Sequence, residues 1–288
     1  MNGPSGVLEG VWQRHRQWSI AASAGRARLD TFRRINLALL VVGAVFGAVA
    51  AQPGWPGGVT RGAAGVAFVA LAVAGVLQQQ FLNADQVARW TGARAASETL
   101  KAEVFRYRAG VAPYDEADRD RVLSDQVDAV HAKADKLVVD QQRTRADNRA
   151  LPEVHDFDSY VERRAMEQLT WHRDRIDGHL KAAARIRYAE FAATAVAALL
   201  GGVAAFLDTK GLTLWIGAAT TVGAAFAAHL SATQRDRIAT GFAVTADRLD
   251  QLIRRLPANP DAATRASFVA NVESTLAVQN ESWVGLLS

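Results

Sequence analysis

Residues 75–91 read GVLQQQFLNADQVARWT. An apolar run ends in three consecutive glutamines, then passes into a charged segment with no Pro or further Gly to interrupt it. A helix with one end in an apolar medium and the other in water reads this way. Successive helical residues point about 100° apart, so Gln78, Gln79 and Gln80 cannot share one face, and the run as a whole marks a boundary.

Outward from this junction, four stretches are nearly free of charge: Ile35–Ala51, Gly62–Leu77, Phe191–Leu207 and Leu212–Leu230. As a helix, a 17-residue stretch spans roughly 26 Å. That is close to the ~30 Å hydrocarbon core, and uncharged flanks such as Gln52 and Gln78–Gln80 complete the crossing. Half the residues are hydrophobic, mostly Ala and Val, and the mean hydropathy is near zero. A soluble bundle of Ala-rich core helices is therefore the competing reading.

Charge placement separates the two. Arg14, Arg16, Arg26, Arg28, Arg33 and Arg34 precede the first stretch, Lys181, Arg185 and Arg187 the third, and Arg235 and Arg237 follow the fourth. The short intervening loops carry only Arg61 and Lys210. Every dense basic flank lies on one side, as the positive-inside rule requires. The expectation is an all-α integral membrane protein with four transmembrane helices, in the cell (inner or plasma) membrane, both termini cytoplasmic. Its first partner is the lipid bilayer. The net charge of +4 and pI near 9.7 would suit a nucleic-acid binder. These arginines lie within a few turns of the bilayer, however, where anionic lipid head groups are the better match, so no nucleic-acid partner is expected.

The chain also repeats itself. Aligning Trp18 with Trp171 places Arg34 on Arg187 at the same offset, and after the shorter second loop Thr91–Gly92 matches Thr240–Gly241, Leu100 matches Leu249 and Arg106 matches Arg255. Val127–Asp128 and Val272–Glu273 correspond more weakly. The expected organisation is a first repeat at 1–149, a linker at 150–157 and a second repeat at 158–288. Each repeat holds a pre-helix, a membrane hairpin and long helical cytoplasmic extensions. An even number of crossings per copy makes the repeat parallel, unlike the inverted repeats of many secondary transporters.

Outside the membrane, Val87, Trp90, Ala93, Ser97, Leu100, Val104 and Tyr107 recur at helical spacing. With no Pro from 83 to 108, one helix is expected to run unbroken from near Gly62 to about Arg108, roughly 70 Å, until Pro113 stops it. Residues 115–149 read as a second amphipathic helix with Val122, Val127, Val130, Ala134 and Leu137 as its stripe. Tyr160–Arg187 leads into the second hairpin, and Pro257 and Pro260 break the chain before a last helix over Asp261–Leu287.

The stretch TLKAEVFRYRAGVAPY at 99–114 contains Arg106, Tyr107, Gly110, Pro113 and Tyr114. The chain closes with FVANVESTLAVQNESWVGLL at 268–287, carrying Glu273, Asn280, Glu281 and Trp283. Together with the Trp- and Arg-rich pre-helix and short hairpin, these resemble the SLATT superfamily, two-transmembrane domains of bacterial conflict systems, here as two fused copies. Asn280–Glu281 stands in the reverse of the family order. The resemblance implies an oligomeric membrane protein that forms a pore when triggered, with no catalytic residues to carry over.

The residues themselves offer little chemistry. No Cys is present, which excludes disulfides, thiolate metal sites and cysteine nucleophiles. Neither a hydrolase elbow, nor a phosphate-binding glycine loop, nor a metalloprotease helix is found. His155, Asp156 and Asp158, with His172 and His179 further on, fit no metal-site spacing and read as solvated linker residues. No catalytic residue, metal or cofactor is expected, and the chain reads as a non-enzyme. Glu190 is the one acid near a membrane stretch and lies close to Arg187.

What remains is a polar or small stripe on the fourth membrane helix: Thr213, Gly217, Thr220, Ala224, Ala228 and Ser231. It reads either as a pore lining or as a surface for close helix packing, the role also given to Gly43 and Gly47. Gln78, Gln79, Asn83, Asp85, His229 and Gln234 are the candidates for a cytoplasmic mouth, where Asp85 would favour permeant cations. Four thin helices cannot enclose a channel in one chain, so conduction requires a homo-oligomer gated through the cytoplasmic helices. The alternative is a membrane-anchored helical scaffold or receptor that binds a cytoplasmic partner without conducting.

Overall fold

The structure, a computed structural model, describes residues 6–134, 145, 147, 149–207 and 210–287. Among the described residues the regular secondary structure is entirely helical. The order is α1 (Gly6–Ala50), α2 (Gly57–Phe81), α3 (Ala84–Ala109), α4 (Arg119–Lys133), a short α5 (Phe157–Tyr160), a π turn (Val161–Met166), α6 (Glu167–Leu207), α7 (Lys210–Thr233), α8 (Arg235–Arg255) and α9 (Ala262–Leu287). Four helices are long and apolar enough to cross a membrane.

The chain divides into two compact units, and each draws on both halves of the sequence. A polar unit comprises Met1–Arg26, Val87–Gly178 and Arg237–Ser288, and an apolar unit comprises Ala27–Gln86 and His179–Asp236. The continuous helices α1 and α6 contribute to both.

In the apolar unit the usual burial order is inverted. Ala63, Ala67, Ala70 and Ala74 are the buried face of α2, while Phe68 is 73% exposed on the same helix, and Leu199 and Phe206 are 70% and 90% exposed on α6. Between 0 and 22% of the residues in the four apolar windows are buried. A soluble bundle buries its large side chains. Small residues inside and large ones outside are the pattern of helices solvated by lipid, which disposes of the soluble-bundle reading.

Helices within this unit touch through glycine. A Cβ at Gly43 would lie 2.6 Å from the Leu71 side chain, and one at Gly223 would meet Thr194 and Ala193 at 3.4 and 3.7 Å. Gly47, expected to pair with Gly43, has open space around it. The first loop reaches the second hairpin through Gln52 Nε2, which donates to the Gly211 carbonyl at 3.2 Å.

The expected 70 Å helix does not form: α2 ends at Phe81 and α3 begins at Ala84. Asn83 makes the break. Its Nδ2 donates to the Gln79 carbonyl (2.9 Å) while its Oδ1 accepts from the Gln86 N–H (3.0 Å), closing one helix and capping the next. The second half breaks at the corresponding place, where Gln234 adopts φ 49° between α7 and α8, a left-handed helix end.

In the polar unit, all seven apolar-stripe positions expected on α3 are buried. The helix stops at Gly110, φ +63°, three residues before Pro113, because Gly takes the left-handed conformation without a Cβ clash. The second amphipathic helix is also shorter than expected. It starts at Arg119 rather than 115, and residues 145, 147, 149 and 150 are not helical. Its buried face is Leu123, Val127 and Val130, with Val122 to one side, and Leu137 lies outside the described residues. Pro257 and Pro260 do separate the last two helices, with Asp261 Oδ1 capping the Thr264 N–H at 2.7 Å. Phe105, Phe157, Tyr160, Leu249, Phe268 and Val272 form part of one core that joins α3 of the first half to α8 and α9 of the second. The sequence-matched pairs Leu100/Leu249 and Val127/Val272 are fully buried at both positions.

Candidate functional site

Helix α7 carries the expected stripe. Thr213, Gly217, Thr220, Ala224, Ala228 and Ser231 are all exposed, and the packed face of the helix is Ala218, Gly223 and Ala225. Helical periodicity puts the six on one continuous side. Close packing within the chain is therefore not their role. The Thr220 hydroxyl is satisfied by its own helix, donating to the Ile216 carbonyl at 2.8 Å, so the stripe can face an apolar or a wet surface without an orphaned donor.

The six mouth candidates are not equivalent. Gln78 is held across the first hairpin, with Asn36 Nδ2 donating to its Oε1 at 3.4 Å. Gln79 lends its carbonyl, and Asn83 both ends of its side chain, to the α2–α3 break. Asp85 is exposed in the first turn of α3, where a negative charge suits the helix dipole. His229 is half-buried near the end of α7, and Gln234 terminates that helix. Glu190 does not pair with Arg187, whose guanidinium reaches Asp236 instead.

Sequence reasoning missed a buried ion pair in the polar unit. Arg164, in the π turn, donates from Nε and Nη2 to Glu273 Oε1 and Oε2 of α9 at 3.0 and 2.8 Å. The Tyr160 hydroxyl adds a bond to Oε1 at 2.9 Å. The guanidinium lies over the Phe105 ring of α3 at 4.3 Å. Burial alone would lower the Arg164 pKa, and the Glu273 carboxylate more than offsets that. Burial, reinforced by Glu273, pushes the Tyr160 hydroxyl well above its usual range. Glu273 belongs to the closing pattern read from the sequence. The side chains of Asn280, Glu281 and Trp283 lie outside the described residues.

The other motif, Arg106, Tyr107, Gly110, Pro113 and Tyr114, is a clasp. Tyr114 is buried and donates to Glu103 Oε2 at 2.5 Å, Arg106 donates to Glu103 Oε1 at 2.9 Å, and Tyr107 donates to Asp120 of α4 at 2.5 Å. Its residues fix the turn from α3 to α4. Of the expected solvated linker residues, His155, Asp156 and Asp158 are exposed, with Asp156 accepting from the Ser159 N–H at the start of α5 and Arg108 reaching His155. His172 is instead buried on α6, 1% exposed, its Nδ1 donating to the Gln168 carbonyl. Among the described residues no cluster of metal-ligating side chains occurs.

Residues 160–283 match the model of a SMODS and SLOG-associating 2TM effector domain, SLATT type 1. Residues 16–121 match a protein family of unknown function, DUF4231. No curated protein and no solved structure matches the chain.

Proposed function

Because the chain belongs to the SLATT superfamily of two-transmembrane effector domains, we propose that it is a homo-oligomeric membrane pore built from two fused copies, lined by α7 and gated through its polar helices. The family description is that of a membrane-associated effector. The observation that carries the finer reading is the α7 stripe: six polar or small residues on one side of the helix, all exposed in the single chain. A ring of copies would give this face either a lumen or a tight seam. Helices α1 and α6 run from one compact unit into the other, which supplies a mechanical route for gating. The basic flanks of the membrane stretches support an orientation with both termini on the cytoplasmic side of a cell membrane. Asp85, on the polar side of the α2–α3 break, gives the mouth a preference for cations.

The test is ion flux from liposomes holding the purified full chain. Saturable flux is expected from wild type, with at least tenfold loss in Thr220→Trp and reduced cation preference in Asp85→Ala. Wild-type flux unchanged by Thr220→Trp would remove α7 from the lining. The scaffold reading is favoured by one contact, the engagement of Gln78 by Asn36, which suits dry packing. It predicts no flux under any condition.

A further inference from the structure

Between α3, the π turn, α6, α8 and α9 of the polar unit lies a pocket of about 170 Å³. Its wall carries Arg94, Glu98 and Lys101 from α3, Arg164 from the π turn, and Trp171 and Phe242 from α6 and α8. The charges pair unequally. Arg94 Nη2 meets Glu98 Oε1 at 2.8 Å, and Arg164 is held bidentate by Glu273. Each acid near the pocket is thereby matched to an arginine. Lys101 is the remainder: no hydrogen bond or ion pair to its ammonium is present among the described residues, although it sits within one turn of Glu98 and faces the same cavity.

A half-buried ammonium without a partner is costly, and a fold keeps one where something else neutralises it. The geometry points to a binding site for a phosphoryl group, contributed by a small phosphomonoester or by a lipid head group, with Lys101 as its charge partner. Arg164 retains Nη1, since only Nε and Nη2 are committed to Glu273, and Arg94 retains donors beyond its bond to Glu98. An ammonium sharing a pocket wall with two guanidinium groups presents donors in several directions, which three phosphoryl oxygens satisfy better than two carboxylate oxygens. The exposed part of Trp171 and the Phe242 edge offer an apolar wall for whatever carries the phosphate. The electrostatics agree. Burial first, then the Arg164 charge, bring Lys101 down to about 8, against the opposing pull of Glu98 and Glu273. The lysine is still protonated at neutral pH, and a bound dianion would hold it so.

The pocket joins α3 of the first half to α6, α8 and α9 of the second, so a ligand there would bridge the two halves. The inference stands on this cavity and not on conduction, and its test reads binding alone. Thermal unfolding of the full chain in detergent is followed with added inorganic phosphate, with glycerol 3-phosphate, and with chloride at matched ionic strength. A parallel series in nanodiscs compares bilayers with and without phosphatidic acid. The expected result is a saturable rise in midpoint of several degrees with a phosphate probe or phosphatidic acid, none with chloride. Lys101→Met, which removes the unmatched charge, loses the rise, and Arg94→Gln, at a half-buried position on the pocket rim, weakens affinity at least tenfold. A shift in the soluble arm alone identifies a phosphomonoester, and one confined to phosphatidic acid identifies the head group. Equal shifts in wild type and both variants, or none in either arm, would overturn the assignment.

Discussion

Arg164 and Glu273, 3% and 2% exposed, show what one residue can decide in this fold. Removing one partner of a buried ion pair leaves the other charge stranded, typically at about 3–5 kcal/mol. Arg164→Met and Glu273→Leu should each destabilise the polar unit by that amount in chemical denaturation, while the double variant recovers most of the loss. Additive losses would mean that the pair is not coupled. His15 is a second such point. Its Nδ1 donates to the Ser97 carbonyl at 2.8 Å. Burial, followed by the neighbouring Lys101 charge, overcomes that bond and the pull of Glu98, bringing the group down to about 4. The unfolded imidazole takes a proton near 6.5, so between these values the unfolded chain binds more protons. Stability is therefore fully present above pH 6.5 and falls as the pH drops through 4, by on the order of 3 kcal/mol in total. His15→Gln should flatten that part of the stability profile relative to wild type, and a parallel profile would contradict the assignment. Neither site was legible in the sequence. Arg164 is one of many arginines on charged helices, and nothing in YVERRAM marks which one a π turn aims inward.

At the scale of elements, periodicity served well where large apolar residues recur. The seven-residue stripe from Val87 to Tyr107 is wholly buried because burial of such side chains dominates the packing of that helix. It failed where one polar side chain controls the backbone. Asn83 ends one helix and caps another with two hydrogen bonds, and hydropathy does not register such a device. Alanine hid the packing face of α2 for a related reason: Ala63, Ala67, Ala70 and Ala74 are no more apolar than the alanines around them, and only helix contacts distinguish them. The Arg106–Tyr114 motif was found but its use was not. Gly110 holds φ +63° with open space where a Cβ would go, so its side-chain constraint is purely conformational. Gly110→Ala should cost about 1–2 kcal/mol, and Gly110→Asn less, since Asn tolerates this region. Equal costs for the two, measured by thermal unfolding, would point to a packing role instead.

For the molecule as a whole, the compact units cut across the two halves of the sequence. Hydropathy along the chain separates membrane from polar segments, and so the four spans were readable. It carries no information on which segments of the two halves share a core. Assembly lies one level further out, in the α7 face that the chain itself leaves uncovered. The absence of cysteine makes that face directly addressable. Single cysteines at Thr213, Gly217, Thr220 and Ala224, with controls at the packed positions Ala218 and Ala225, would be recorded in planar bilayers during exposure to a charged thiol reagent. Modification that blocks current at the stripe positions and spares the controls is the result expected of a pore lined by α7. Current unaffected at every stripe position, in a protein that conducts, would contradict it.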